Sequence, residues 1–554
     1  TMTQVPTHES VIANFDNHIV KYGGVNFRFF QENDAFFMEI DDQRQNEAQR
    51  VDRQTYKMVL STGAHHQQAF WCETDQARTL RKVPFIWITA ENRWIPYNAI
   101  FLAPPTGISM QAGVWNKSCI KCHVVGGQPR LDAESGYDSH VAEFGISCEA
   151  CHGPAELHAS GHRNPLSRYS EHFSAADDPT LVNPIDLSHE RSSQTCGQCH
   201  SVFEPIGDEL NGFNNGGYTY RPGDDLNDSR HVFQCGHNDD HPTVKQKLAS
   251  NPKFFEHQFW SDGKIRITGR EFNGLLETPC YQHGMMSCMS CHEMHQKIDD
   301  PRSSQEWAED QLKPGMRGNQ ACIQCHTEYE SEDQLALHTH HAPTSSGSQC
   351  YNCHMPHTTL GLMKASRSHT VYNPDVAATL ETGRPNACNL CHLDKTLAWT
   401  SDYLEAWYSI PPPELSDEDR KVASSVRWLL TGDAGQRAIV GWHFGWRPAQ
   451  EISGTLWMAP YLAELLTDSY EVVRFIGFHS LKELPNFADF EYDFVGSTQS
   501  RTEARRRALD NWDRQSERPS ASEALLLDDR GMLRKGEYQR MRDRRSDPHF
   551  VLTE

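Results

Sequence analysis

Cys148-Glu149-Ala150-Cys151-His152 puts two thiols and an imidazole within five residues of chain. The same Cys-x-x-Cys-His pattern occurs seven times. The copies are Cys119/Cys122/His123, Cys148/Cys151/His152, Cys196/Cys199/His200, Cys288/Cys291/His292, Cys322/Cys325/His326, Cys350/Cys353/His354 and Cys388/Cys391/His392. With 17 cysteines and 30 histidines in 554 residues, chance predicts about 0.03 such matches from residue frequencies alone. Zinc sites pair two Cys-x-x-Cys knuckles and do not need a histidine after each one. An odd number of knuckles cannot all pair. The spacing suits haem instead: two thiols on one turn add to the two vinyl groups of a porphyrin, and the next residue brings its imidazole beneath the iron. Seven covalently bound c-type haems are therefore expected.

The motifs run from Cys119 to His392, close to one for every 39 residues. A compact body of about 285 residues has a radius of gyration near ~19 Å. Seven macrocycles in that volume must be near neighbours, so electrons can hop along a contiguous chain or cluster. This central stretch, residues 111–395, is rich in Gly, Pro, Asn and His and weakly periodic. Short helices and long irregular loops are expected there. Such loops alone make a poor core, and covalently tied haems would supply the missing filling.

The flanks read differently. In residues 1–110, Val25, Phe27 and Phe29 alternate with polar residues. After Asn33-Asp34, Phe36, Met38 and Ile40 alternate again. This period of two around a turn signal predicts an antiparallel hairpin. A second hairpin is expected from Phe85 to Ile95, turning near Glu91-Asn92. Residues 396–515 change to helical spacing. Leu462, Leu465, Leu466, Val472, Val473, Ile476 and Leu481 recur across a break at Thr467-Asp468-Ser469, as paired helices would. Residues 516–554 are charged and poorly patterned, and are expected to form a tail or a docking arm. The fold class is thus mainly α and irregular with a haem-filled core, an N-terminal antiparallel β module and C-terminal helical HEAT-like repeats.

Each iron needs a second axial ligand. Apart from the motif histidines, eighteen lie between His65 and His369, where seven would suffice, and five (His8, His18, His443, His479, His549) lie outside. The surplus predicts bis-histidine coordination. His295 and His357 each stand three residues beyond a motif histidine, and each is placed to ligate a neighbouring haem. His65, His66, His158, His340, His341 and His369 complete the candidate set. Cys72, Cys235 and Cys280 lie outside the motifs. Two of them are candidates for a disulfide, and Cys280 and Tyr281 are candidates for chemistry beside an open iron.

The net charge of −22 repels nucleic acid and anionic lipid and favours basic partners. No apolar run reaches the roughly 18 residues of a membrane span. Covalent haem attachment takes place outside the cytoplasmic membrane, so an exported protein, periplasmic or extracellular, is expected.

Ile146–Pro154, Cys196-Gly197-Gln198-Cys199-His200, Cys350-Tyr351-Asn352-Cys353-His354-Met355-Pro356-His357 and Asn386-Ala387-Cys388-Asn389-Leu390-Cys391-His392 resemble a family of bacterial multihaem cytochromes. That group includes the tetrahaem partner of hydroxylamine oxidoreductase, octahaem tetrathionate reductase and pentahaem nitrite reductase. The resemblance covers most of the chain and implies tetratricopeptide or HEAT-like helices after the haems. It also implies distal ligation by His66, His158, His295, His341, His357 and His369. Similar chains open with one further motif and a His-His pair that this sequence lacks. The lysine-bearing motif of the nitrite reductase relatives is absent too, which counts against nitrite reduction. Histidine abundant enough to close every iron favours electron transfer to redox partners or a terminal acceptor, including through a homo-oligomer or extracellular filament, a nanowire. The alternative is a reductase or oxidase of a small nitrogen or sulfur compound at one open haem.

Overall fold

The computed structural model describes residues 3–42, 53–74, 78–104, 113–132, 136–173, 178–237, 240–545 and 551–552. By compactness the chain divides into two units. The first comprises Thr1–Tyr97, Thr106–Phe233 and Met285–Gln311; the second comprises Asn98–Pro105, Gln234–Gly284 and Leu312–Glu554. The central motif-bearing stretch contributes to both. The first four motifs belong to the first unit and the last three to the second.

An eight-stranded antiparallel sheet opens the first unit. Its strands are β1 (Thr3–Gln4), β2 (His18–Tyr22), β3 (Val25–Glu32), β4 (Ala35–Asp42), β5 (Gln54–Thr62), β6 (Gln67–Glu73), β7 (Leu80–Ile88) and β8 (Arg93–Pro96). β2 to β8 follow one another as a meander, and β1 pairs with β5. Both expected hairpins are present. β3 and β4 pair Phe27 with Ile40 and Phe29 with Met38, joined by Asn33 and Asp34, both at positive φ (47° and 62°). Two such residues make the turn whose twist matches its strands. β7 and β8 pair Phe85 with Pro96 and Ile88 with Arg93. Val25, Phe27, Phe29, Phe36, Met38 and Ile40 all face inward, against Phe15, Phe70, Phe85 and Trp94. Phe29 stacks on Trp94 with ring centres 4.0 Å apart.

The motif regions are built of short α-helices, such as the four-residue Cys288–Cys291 and the nine-residue His189–Gly197, and of two-stranded ribbons. The second unit then runs through the helices Leu397–Tyr408, Ser424–Thr431, Ala434–Gly445, Ala459–Leu465, Glu471–Lys482, Thr498–Asp513 and Lys535–Asp543. Leu462, Leu465, Leu466, Val473, Ile476 and Leu481 are buried as the periodicity required. The break between the central pair of helices holds Asp468, which is fully buried. Arg437 grips it with two bonds, Nε to Oδ2 at 2.7 Å and Nη2 to Oδ1 at 3.0 Å.

Residues 516–545 pack on their own unit instead of projecting as an arm. The reason is a buried carboxylate, Glu464. Glu464 accepts from Tyr538 Oη at 2.9 Å and pairs with Arg505 at 2.8 Å and Arg542 at 2.8 Å. Tyr538 and Met541 bury the apolar face of the last helix. His549 and the rest of 546–550 lie outside the described residues.

Candidate functional site

Each motif closes one helical turn. The backbone N–H of His123, His152, His200, His292, His326 and His392 donates to the carbonyl of its motif's first cysteine at 2.8–3.0 Å. An i, i+3, i+4 arrangement on a turn gathers both thiols and the imidazole on one face, as addition to a single macrocycle requires. The second cysteines differ in their surroundings. Cys291 ends the turn Cys288–Cys291 and is half-buried. The Cys325 N–H donates to the Cys322 carbonyl at 3.1 Å, which closes the same turn, but the Cys325 side chain is exposed. His326 beside it is exposed too.

The imidazoles are oriented from behind. His152 Nδ1 donates to the Val182 carbonyl at 2.7 Å, His292 Nδ1 to that of Asp310 at 3.0 Å, and His354 Nδ1 to that of Tyr372 at 3.1 Å. A carbonyl only accepts, so the ring proton sits on Nδ1 and Nε2 keeps its lone pair for a metal. Burial lowers the His354 pKa, and burial with His341 nearby lowers that of His392 to about 4. Both imidazoles are neutral at pH 7.

Three motif histidines face a second histidine across a gap. His152 and His295 have ring centres 6.1 Å apart, and His392 and His341 also 6.1 Å. His354 and His338 lie 6.2 Å apart with planes 8° from parallel. Two imidazoles bound to opposite sides of one metal at roughly 2 Å each have ring centres about 6 Å apart. These pairs therefore fit a haem iron between them. His341 is oriented as the proximal rings are, with Nδ1 2.6 Å from the Thr339 carbonyl. His338 carries no motif of its own. Its signal in the sequence is its place in His338-Thr339-His340-His341, at the end of the helix Glu332–Thr339.

The motifs also touch one another. In the first unit, Cys199 Sγ lies 3.9 Å from the Cys122 carbonyl, and Gln198 Nε2 donates to the Ala150 carbonyl at 2.8 Å. The thiols of Cys196 and Cys288 are hydrogen-bonded, which raises the first and lowers the second. The third motif thus contacts the first, second and fourth. In the second unit, Asn319 accepts from the Cys350 N–H at 2.9 Å and donates to the Ser348 carbonyl at 2.7 Å. Cys322 and Cys350 share a hydrogen bond, and Cys353 lies beside Cys388 and Cys391. There the fifth, sixth and seventh motifs follow in line.

The other candidates have different surroundings. His65 Nε2 is 3.0 Å and His66 Nε2 4.0 Å from the two oxygens of Glu309. His158 Nδ1 meets Asp178, and its ring lies 4.1 Å from that of His162. His340 stacks on Trp407 at 4.3 Å. His357 sits among Trp442 at 4.6 Å, Trp446 at 5.4 Å and His443 at 5.8 Å. The His369 carbonyl accepts from Thr278 Oγ1 at 3.1 Å. His200 is exposed, and the His123 ring is half-buried. Cys72, Cys235 and Cys280 are not disulfide-bonded, so the expected bridge is not formed. Cys72 lies inside the sheet, where burial lifts its thiol to about 12.

Residues 106–153, which carry the first two motifs, match the family model of cytochrome c554 and c-prime. No curated protein matches the chain. Among solved structures, the outer cell wall cytochrome OcwA is similar at a TM-score of 0.42 and 16% identity, over 77% of this chain and 88% of that one. Among the described residues no helix is long and apolar enough to cross a membrane.

Proposed function

We propose that this chain is an electron-transfer cytochrome that carries seven covalent c-type haems. The observation that supports this best is the set of three imidazole pairs, each at the spacing of a six-coordinate iron. When bound, the haems supply one-electron iron chemistry. The chain holds each by two thioethers and an Nε2 whose orientation is set through Nδ1. His295 closes the iron of the second motif, His338 that of the sixth and His341 that of the seventh. The four remaining irons would take their distal ligands from among His65, His66, His158, His340, His357 and His369. The haems would fill the core of residues 111–395, where the chain is short helices and loops. Contacts between motifs support a reading in which electrons would hop between neighbouring haems. The third motif, which touches three others, would hold a haem that exchanges electrons with several neighbours, and the sixth would hold one between those of the fifth and seventh. The helical C-terminal part is the HEAT-like segment of this cytochrome family. The working location is the periplasm or cell exterior, with basic redox partners, or further copies of the chain in a filament, as electron donors and acceptors.

Intact mass of the purified holoprotein tests the count, with an increment of seven haems expected. Electron paramagnetic resonance tests the ligation, with only low-spin ferric signals and no carbon monoxide adduct expected on reduction. A stoichiometric high-spin signal that binds carbon monoxide would overturn the closed-iron reading and mark a reductase instead.

A further inference from the structure

The environment of His158 differs from that of the other oriented imidazoles. His158 lies in the helix Glu156–Gly161, and the chain returns to it twenty residues later at Asp178. Asp178 Oδ2 is 2.5 Å from His158 Nδ1. Its other oxygen accepts from the Thr180 N–H at 2.8 Å and from Thr180 Oγ1 at 2.5 Å. Three hydrogen bonds hold the Asp178 side chain in this place, and an ionised carboxylate is an acceptor only. The proton between them therefore belongs to His158 Nδ1, and Nε2 is left as the lone pair.

His152, His292, His354 and His341 give the same proton to neutral backbone carbonyls. Another Nδ1–carboxylate contact, His326 with Glu328, is 3.4 Å long, and both side chains are more than half exposed. Asp178 is 24% exposed and locked by Thr180. A carboxylate behind an imidazole draws its proton away and makes Nε2 a stronger donor, and this effect of the outer partner tunes the metal. Stronger donation and a fixed negative charge both favour ferric over ferrous iron.

We propose that Asp178 is a positioning residue that lowers the reduction potential of the haem bound by His158. The proposal rests on the reading of His158 as an axial ligand. Thr180 sets the strength of the effect, because its hydroxyl takes up part of the charge that Asp178 would otherwise direct at the imidazole.

The test is a spectroelectrochemical titration of the holoprotein and its variants. Asp178→Asn is expected to raise the potential of one haem by a tenfold change in its reduction equilibrium, about 59 mV for a one-electron couple. Thr180→Val is expected to move the same haem in the opposite direction, and Asp178→Glu to restore the original value. A purely structural role would not give shifts of opposite sign. His158→Ala separates the two readings, since it is expected to turn one haem high-spin. A high-spin haem in His158→Ala with no potential shift in either Asp178→Asn or Thr180→Val overturns the inference and leaves the ligand assignment standing. A fully low-spin His158→Ala overturns the ligand assignment and the inference with it. Stoichiometric uptake of Co2+ by the holoprotein, abolished in Asp178→Asn with all haem potentials unchanged, also overturns it and assigns His158, His162 and Asp178 to a separate cation site.

Discussion

At the scale of single residues, the decisive feature is which nitrogen each imidazole presents. His354 and His338 face each other nearly in parallel at 6.2 Å, and the His354 proton is tied to a carbonyl. His338→Ala is expected to convert one ferric haem from low to high spin and to open one ferrous carbon monoxide site, read by electron paramagnetic resonance and optical titration. His340→Ala, which removes a ring stacked on Trp407, serves as the neighbouring comparison. The buried Arg437–Asp468 pair makes a prediction about stability. Burial alone would raise the Asp468 pKa, but Arg437, and then Arg545, pull it below the ordinary aspartate value. A depressed folded-state pKa means that the pair's contribution is complete above the unfolded value of about 3.9. That contribution is lost as pH falls through the lower folded value. Asp468→Asn leaves a buried guanidinium without its counter-charge and should cost about 3–5 kcal/mol in urea unfolding at pH 7. That difference should shrink in strong acid.

At the scale of elements, helix packing in the second unit depends on two glycines. A Cβ on Gly477 would stand 2.6 Å from Leu465 Cβ, and one on Gly441 would stand 2.7 Å from Leu465 Cδ1. The helices Ala434–Gly445, Ala459–Leu465 and Glu471–Lys482 approach through these gaps. Gly477→Ala is expected to destabilise the protein by about 1–3 kcal/mol, the usual cost of overpacking, measured as a lowered urea midpoint with an unchanged slope. Gly441→Ala meets the flexible end of a leucine and should cost less. The motif turns make a kinetic prediction. The third motif touches three others, through Cys199, Gln198 and Cys196. Cys196→Ala combined with Cys199→Ala should slow equilibration among the remaining haems of the first unit, seen as split phases in rapid reduction. The same change at the seventh motif, which ends a line, should remove one haem and leave single-phase reduction of the others.

At the scale of the whole molecule, the charge of −22 governs encounter. Association with a basic redox partner should slow by tenfold or more as the screening length falls from about 30 Å to about 8 Å. Stopped-flow reduction across a salt series measures this. Much of the molecule was legible in its sequence, because some chemistry is local. A Cys-x-x-Cys-His turn is complete within five residues. The alternation around Asn33-Asp34 needs only a two-residue period, and the leucines from 462 to 481 need only a helical one. What the sequence left open depends on distant parts of the chain. His338 looked no different from its neighbours until folding put it opposite His354. Cys291 and Cys325 hold the same place in their motifs, yet one is half-buried and the other exposed, a difference made by the chain around them. Asp178 acquired a role only when the chain brought it back to His158. The charged residues after 516 read as a tail because nothing near them in sequence reveals Glu464, the buried carboxylate that draws in Tyr538 and Arg542. Sequence alone determined that the chain carries seven Cys-x-x-Cys-His motifs between a β module and a helical region, since each motif is written in adjacent residues. Only the tertiary structure decided which histidines face each other, which motifs touch and where the charged end packs, because those depend on distances between residues far apart along the chain.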